Sequence, residues 1–138
     1  MFKRIMAPVD LAHLEKLGAA LDCAADLANH YGVPVVYVGV TSSQPSEVAH
    51  NLDEFAQKLD EFAKGQAARH GVETSAYATI AHDPTLEIDD ALMRAISETG
   101  SDLVVMASHV PNIIDHIWPS NGGKLAKYAK CSVMVVRA

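Results

Sequence analysis

Residues able to bind a small ligand follow two apolar segments of the chain. Asp10 comes directly after residues 5–9, and Ser108 and His109 come after residues 103–106. Asp10 has two interpretations that both stay open on the sequence alone. It is either an acid that stabilises the N-terminus of the following helix, or a ligand for the hydroxyl groups of a bound molecule or for a metal ion.

Other residues with catalytic or metal-binding chemistry do not form a recognisable site. His109 and His116, with Asp115 between them, suggest a metal or acid–base site, but their spacing is not that of a helical zinc pair and no third ligand is evident. A phosphoacceptor role for Asp10 needs neighbouring acids to hold Mg²⁺, and the next two residues are Leu and Ala. The sequence has no nucleophile elbow, Walker loop or dinucleotide fingerprint. We therefore predict no metal site and no catalytic residues.

Composition places the chain among ordinary globular proteins. Its 138 residues, 49% hydrophobic and 20% charged, fit one domain, which we place at residues 1–138. The net charge of −6 argues against a nucleic-acid surface. The apolar runs are too short to span a bilayer, and residues 1–4 lack the apolar region of a secretory signal. We therefore expect a cytoplasmic protein without membrane contact, in which Cys23 and Cys131 are core thiols rather than a disulfide.

Apolar periodicity alternates between strand and helix along the chain. Strands are predicted at residues 5–9, 35–40, 73–80, 103–106 and 133–136. The third of them is less apolar than the others, so we expect it nearer an edge of the sheet. Amphipathic helical patterns separate them; the first contains Leu14, Leu17 and Leu21, and Gly32 and Gly71 are expected to end the first two helices. Such alternation predicts a single doubly wound α/β domain, with five parallel strands, four helices and right-handed crossovers. Folds of this class bind ligands beyond the carboxyl ends of their strands.

Two stretches of sequence resemble a known family. They are residues 4–10, Arg-Ile-Met-Ala-Pro-Val-Asp, and the last third of the chain, where Ser-Asp-Leu-Val-Val-Met-Ala-Ser-His at 101–109 precedes Cys-Ser-Val-Met-Val-Val-Arg at 131–137. Together they resemble the universal stress protein family over nearly the whole chain. The resemblance implies a Rossmann-like sheet of order 3-2-1-4-5 with a crevice between strands one and four. It also implies a small dimeric stress-response module that binds AMP, ATP or adenosine as a ligand and requires no cofactor.

The resemblance assigns roles to residues around this crevice. It implies that Asp10 contacts the ribose, that the backbone of Val40 contacts the adenine edge, and that Met106 flanks the base. The complete set of implied ligand-binding residues is Pro8, Asp10, Val40, Met106, Ala107, His109, Val110, Ser120 and Asn121.

The phosphate-binding loop departs from the family pattern. In that pattern, Gly-x-x-Gly, a spacer and then Gly-Ser or Gly-Thr present backbone amides to the phosphates. Here Ala107 and Val110 replace the first two glycines, and Pro119 replaces the third. Val110 adds a β-branched side chain and Pro119 removes an amide donor, whereas Ser120 and Asn121 keep side-chain donors. We therefore expect adenine-nucleotide binding with a weakened phosphate cradle.

Two hypotheses of different classes follow for the function. The first is a nucleotide-binding regulatory module, and the second is an interaction module of the same fold that works as a dimer without nucleotide. Slow ATP hydrolysis or autophosphorylation is the least favoured, because no general base and phosphate clamp occur together. In both hypotheses the final strand is an apolar sheet edge that pairs with a second copy to form a homodimer. Its residues are Val133, Met134, Val135 and Val136.

Overall fold

Strands and helices alternate along the chain as the apolar periodicity predicts. The computed structural model describes residues 1–45, 48–82, 84–108 and 121–137. Its strands are β1 (Ile5–Pro8), β2 (Val35–Thr41), β3 (Thr74–Ile80), β4 (Leu103–Ala107) and β5 (Ser132–Val136). Its α-helices are α1 (Gly18–Tyr31), α2 (Leu52–His70), α3 (Pro84–Thr99) and α4 (Asn121–Tyr128).

The strands form one parallel sheet of order β3-β2-β1-β4-β5. From β1 the chain moves outward to β2 and β3, then returns past β1 to β4 and β5. Right-handed crossovers in these two opposite directions place α1 and α2 on one face of the sheet, and α3 and α4 on the other. This arrangement confirms the predicted doubly wound fold and its strand order.

Burial of the strands follows their position in the sheet. Every residue of β1 and β4 is buried, as is β2 up to its last residue. The edge strands β3 and β5 are only partly covered. Because a central parallel strand is packed on both faces, its sequence is a continuous apolar run, whereas an edge strand tolerates polar residues. The prediction that the third strand lies at an edge is therefore confirmed.

The start of the first helix differs from the sequence prediction. The apolar spacing predicts one helix through Leu14, Leu17 and Leu21, but Leu14 belongs to a separate 3₁₀-helix, Leu11–Lys16, and α1 begins at Gly18. The break occurs because the Leu17 amide closes a turn onto the Leu14 carbonyl at 3.0 Å. The predicted stops are correct, since Gly32 and Gly71 end α1 and α2 with φ of 67°.

Helix α2 packs closely on β2 because one strand position has no side chain. A β-carbon built at Gly39 lies 2.8 Å from Cζ of Phe55 and 3.2 Å from a methyl carbon of Leu59. Further along the same interface, the rings of Tyr37 and Phe62 meet edge to face, with centroids 5.2 Å apart. Glycine at position 39 therefore makes the space that the Phe55 ring occupies.

Candidate functional site

The ladder between β1 and β4 stops before the carboxyl end of the sheet, and we call this early end of the pairing the division of the sheet. These strands pair at two positions, Ile5 with Leu103 and Met6 with Val104. On either side the ladders continue further, because β1 pairs with β2 up to Pro8 and β4 pairs with β5 up to Ala107. The point where strand order reverses is the position at which doubly wound sheets bind ligands.

Pro8 explains where the ladder between β1 and β4 ends. The amides of Ile5 and Val9 donate toward β2, to Pro34 and Val38 at 3.0 and 2.8 Å. Because successive residues of a strand point their backbone groups to opposite sides, an amide at position 8 would face β4. Proline has no amide hydrogen, so it cannot continue this ladder.

Asp10 lies at the mouth of the division with its carboxylate already held in place. The Ala12 amide donates to Oδ1 at 3.0 Å, which makes Asp10 the N-cap of the 3₁₀-helix. The His13 imidazole donates from Nδ1 to Oδ2 at 2.8 Å. Asp10 is 5% exposed, so these two donors compensate part of the cost of burying a carboxylate. The structure therefore confirms that Asp10 caps the short helix, and this role does not exclude the second interpretation of Asp10, as a ligand residue, which stays a prediction.

The structure brings five of the implied ligand-binding residues to this edge of the sheet. Pro8, Asp10, Val40, Met106 and Ala107 all lie at or directly after the carboxyl ends of β1, β2 and β4. All five are buried, and Val40 and Met106 are each 1% exposed. Val40 and Met106 therefore belong to the core at this edge of the sheet rather than to an open surface.

The remaining implied ligand-binding residues are His109, Val110, Ser120 and Asn121. His109, Val110 and Ser120 lie outside the described residues, as does Pro119. Asn121 is the first residue of α4, which places its backbone at a helix N-terminus. The phosphate side of the implied site therefore stays a prediction from the sequence.

Sequence reasoning missed His13 as a partner of Asp10. Its backbone, at φ −134° and ψ 41°, departs from helical values inside the 3₁₀-helix. The ring stands beside the carboxylate three residues earlier, with 23% of its side chain exposed. A histidine three residues after a capping acid was the available signal, but the apolar spacing of the neighbouring leucines concealed the short helix.

Both cysteines are free thiols and partly buried. Burial is the main cause that raises the pKa of each thiol, with a smaller contribution from Asp26 near Cys23 and from Asp102 near Cys131. A raised pKa disfavours the thiolate, which is the nucleophilic form.

In the part of the chain that the structure describes, no three His, Cys, Asp or Glu residues are grouped to hold a metal ion. Among the same residues, no helix combines the length and apolar character needed to cross a bilayer.

A five-stranded parallel sheet of order β3-β2-β1-β4-β5, with helices on both faces, defines the protein as a Rossmann-like α/β domain. The model of the Universal stress protein family matches residues 1–137. The chain therefore belongs to the universal stress protein family.

Individual relatives agree with this assignment. The chain is 27% identical to Universal stress protein G of Salmonella typhimurium over 148 aligned positions, which cover 99% of this chain and all of that protein. A crystal structure of a family member from Burkholderia pseudomallei superposes with a TM-score of 0.71 at 22% identity, covering 99% of this chain and 96% of the other. A universal stress protein in complex with cAMP gives a TM-score of 0.68 at 19% identity, covering 98% and 97%.

Proposed function

We propose that this chain binds an adenine nucleoside or nucleotide between the ends of β1 and β4, as a regulatory binding module rather than an enzyme. The observation that carries the proposal is the division of the sheet beside the Asp10 carboxylate. Solved universal stress proteins support the ligand class. One contains cAMP, one from Archaeoglobus fulgidus contains dAMP, and one from Arabidopsis thaliana contains AMP.

The proposal places the ribose at Asp10 and the base beside Val40 and Met106. A carboxylate has about four acceptor positions, and two donors reach the Asp10 carboxylate. Acceptor capacity therefore remains for the hydroxyl groups of a ribose. Val40 and Met106 supply apolar surface against which an adenine ring can pack once they are uncovered.

On the phosphate side we propose a weakened cradle formed by Ala107, His109, Val110, Ser120 and Asn121. Ala107 and Val110 narrow the approach to the backbone, and Pro119 supplies no amide. One charge-assisted hydrogen bond is worth about 1.5–3 kcal/mol, or roughly ten- to 150-fold in affinity. We therefore expect ATP to bind little more tightly than adenosine.

The Asp10→Asn variant tests the ribose assignment. Asparagine keeps an oxygen that caps the Ala12 amide, so the melting temperature should change little. The anionic acceptor is lost, so the affinity for adenosine in calorimetry should fall roughly tenfold or more. Wild-type affinities for adenosine and ATP are measured in the same series. An unchanged adenosine affinity in the variant would remove Asp10 from the site, and a wild type that binds no adenine compound would refute the proposed function.

A second candidate function, nucleotide-independent interaction through a dimer, is favoured by the exposed edge of β5. Met134 and Val135 are each 39% exposed. The Ser108 amide donates to the Val136 carbonyl at 2.8 Å, so the backbone of Val136 faces β4. Strand alternation then turns the backbone groups of Val133 and Val135 toward the free edge of the sheet. An apolar strand with outward-facing donors and acceptors is suited to pairing with a second copy.

The Val135→Pro variant tests pairing through this edge. Proline removes the outward-facing amide but no donor to β4, and proline is tolerated on edge strands in this orientation. Light scattering at micromolar concentration should show a dimer for the wild type and a monomer for the variant. The matched control is Val135→Thr, which keeps the amide and the β-branched shape and should remain dimeric. A monomeric wild type, or a dimer that survives the proline, would contradict the predicted interface.

A further inference from the structure

The orientation of the Asp10 carboxylate depends on a side chain outside the implied ligand-binding set. Oδ1 accepts the Ala12 amide at 3.0 Å, a bond that the backbone alone supplies. Oδ2 accepts from Nδ1 of His13 at 2.8 Å. The backbone bond fixes one oxygen, and the plane of the carboxylate is then set by the imidazole.

We propose that His13 is a positioning residue that holds Asp10 in the orientation required to bind both ribose hydroxyls. The inference rests on the proposed function, because it assumes that Asp10 contacts the ribose. Two neighbouring hydroxyls can both donate to a carboxylate only when its rotation about the Cβ–Cγ bond turns both oxygens toward them. With His13 removed, rotation about the Asp10 side chain would move Oδ2 while Oδ1 stayed bound to Ala12.

The geometry around His13 suits this role. Its amide donates to the Asp10 carbonyl at 3.0 Å, which ties the two residues together through the backbone as well. Because the backbone of His13 is not helical, its position relative to Asp10 is set by this turn rather than by a regular helix. The ring keeps 23% of its side-chain surface exposed, so its replacement removes a hydrogen bond without opening a large core cavity.

The pair His13→Leu and His13→Asn separates positioning from general structure. Leucine fills similar volume but has no donor. Asparagine places an amide nitrogen at the same number of bonds from the backbone as Nδ1, so it can still donate to Oδ2. The probes are adenosine and 2′,3′-dideoxyadenosine, which differ in the two hydroxyls under test.

We expect His13→Leu to weaken adenosine binding about tenfold, the value of one hydrogen bond to a charged group, and to leave dideoxyadenosine binding nearly unchanged. His13→Asn should restore adenosine affinity to within about threefold of the wild type. Thermal melts should show that both variants remain folded.

The outcomes distinguish the inference from the function on which it rests. Equal losses for the two probes, or an adenosine affinity unaffected by His13→Leu while Asp10→Asn still weakens it, would overturn the role of His13 and leave the nucleotide site standing. Failure of asparagine to restore binding would also overturn the role, because its donor reaches the same oxygen. A wild type that binds neither probe would overturn the proposed function and this inference together.

Discussion

Replacing Gly39 by alanine should destabilise the folded chain by about 1–3 kcal/mol, the usual cost of overpacking a core. The added β-carbon would lie 2.8 and 2.9 Å from two ring carbons of Phe55, well inside van der Waals contact. Phe55 is 5% exposed, so the ring has little free space into which it can move. Urea unfolding of the two proteins measures the difference in the free energy of unfolding.

Gly65 provides the matched control for this change. It lies in α2 with no atom within 4 Å of an added β-carbon, so Gly65→Ala should stabilise the helix by up to about 1 kcal/mol. A double-mutant cycle with Phe55→Leu then identifies the contact, because leucine removes the outer ring carbons. If Gly39→Ala costs the same with leucine at position 55 as with phenylalanine, the steric explanation is wrong.

The stability of the fold should decrease at alkaline pH because of Tyr37. Its side chain is fully buried, and its hydroxyl has no hydrogen-bond partner in the described structure. Burial raises the pKa of Tyr37 to about 12. Above about pH 10 an unfolded tyrosine loses its proton while the folded one keeps it, so the unfolded state binds fewer protons. Stability is therefore lost progressively from about pH 10 to about pH 12, by about 3 kcal/mol in total.

The Tyr37→Phe variant isolates this contribution. Phenylalanine has no proton to lose, so the alkaline decrease in the free energy of unfolding should be smaller than in the wild type. At neutral pH the variant should be as stable as the wild type or more stable by about 1 kcal/mol, because an unpaired buried hydroxyl is removed. Tyr128→Phe is the control, since Tyr128 is 56% exposed. Equal alkaline slopes for Tyr37→Phe and the wild type would show that Tyr37 ionises normally.

The order of the elements was predictable because each central strand is a continuous apolar run bounded by helical periodicity. The strand order was not predictable from periodicity, and it came from the family resemblance. The effect of Pro8 on strand pairing depends on that order. Position 8 faces β4 rather than β2, so its missing amide interrupts the ladder between β1 and β4. The contact of Gly39 was not predictable either. Nothing in the sequence indicates that the ring of Phe55, 16 residues later, occupies the space where a side chain at position 39 would lie.

For the candidate site, the shared edge of the residues was predictable, but their hydrogen-bond partners were not. Asp10, Val40 and Met106 share one edge because parallel strands bring their carboxyl ends together. The hydrogen bond between Asp10 and His13 was missed, because Leu14 and Leu17 fit a continuous helix as well as a broken one. The functions of Val110 and Ser120 stay predictions, because both residues lie outside the described part of the chain.

The early end of the ladder between β1 and β4 has a mechanical consequence. Backbone bonds join the two halves of the sheet, β3-β2-β1 and β4-β5, at Ile5 and Met6, whereas Pro8 has no strand partner on β4. Paired residues therefore join β1 and β4 at their amino ends and not at their carboxyl ends. Met106, at the carboxyl end of β4, is 1% exposed, so side-chain packing is dense there. The cohesion between the two halves of the sheet thus depends on the backbone ladder at one end and on side-chain packing at the other.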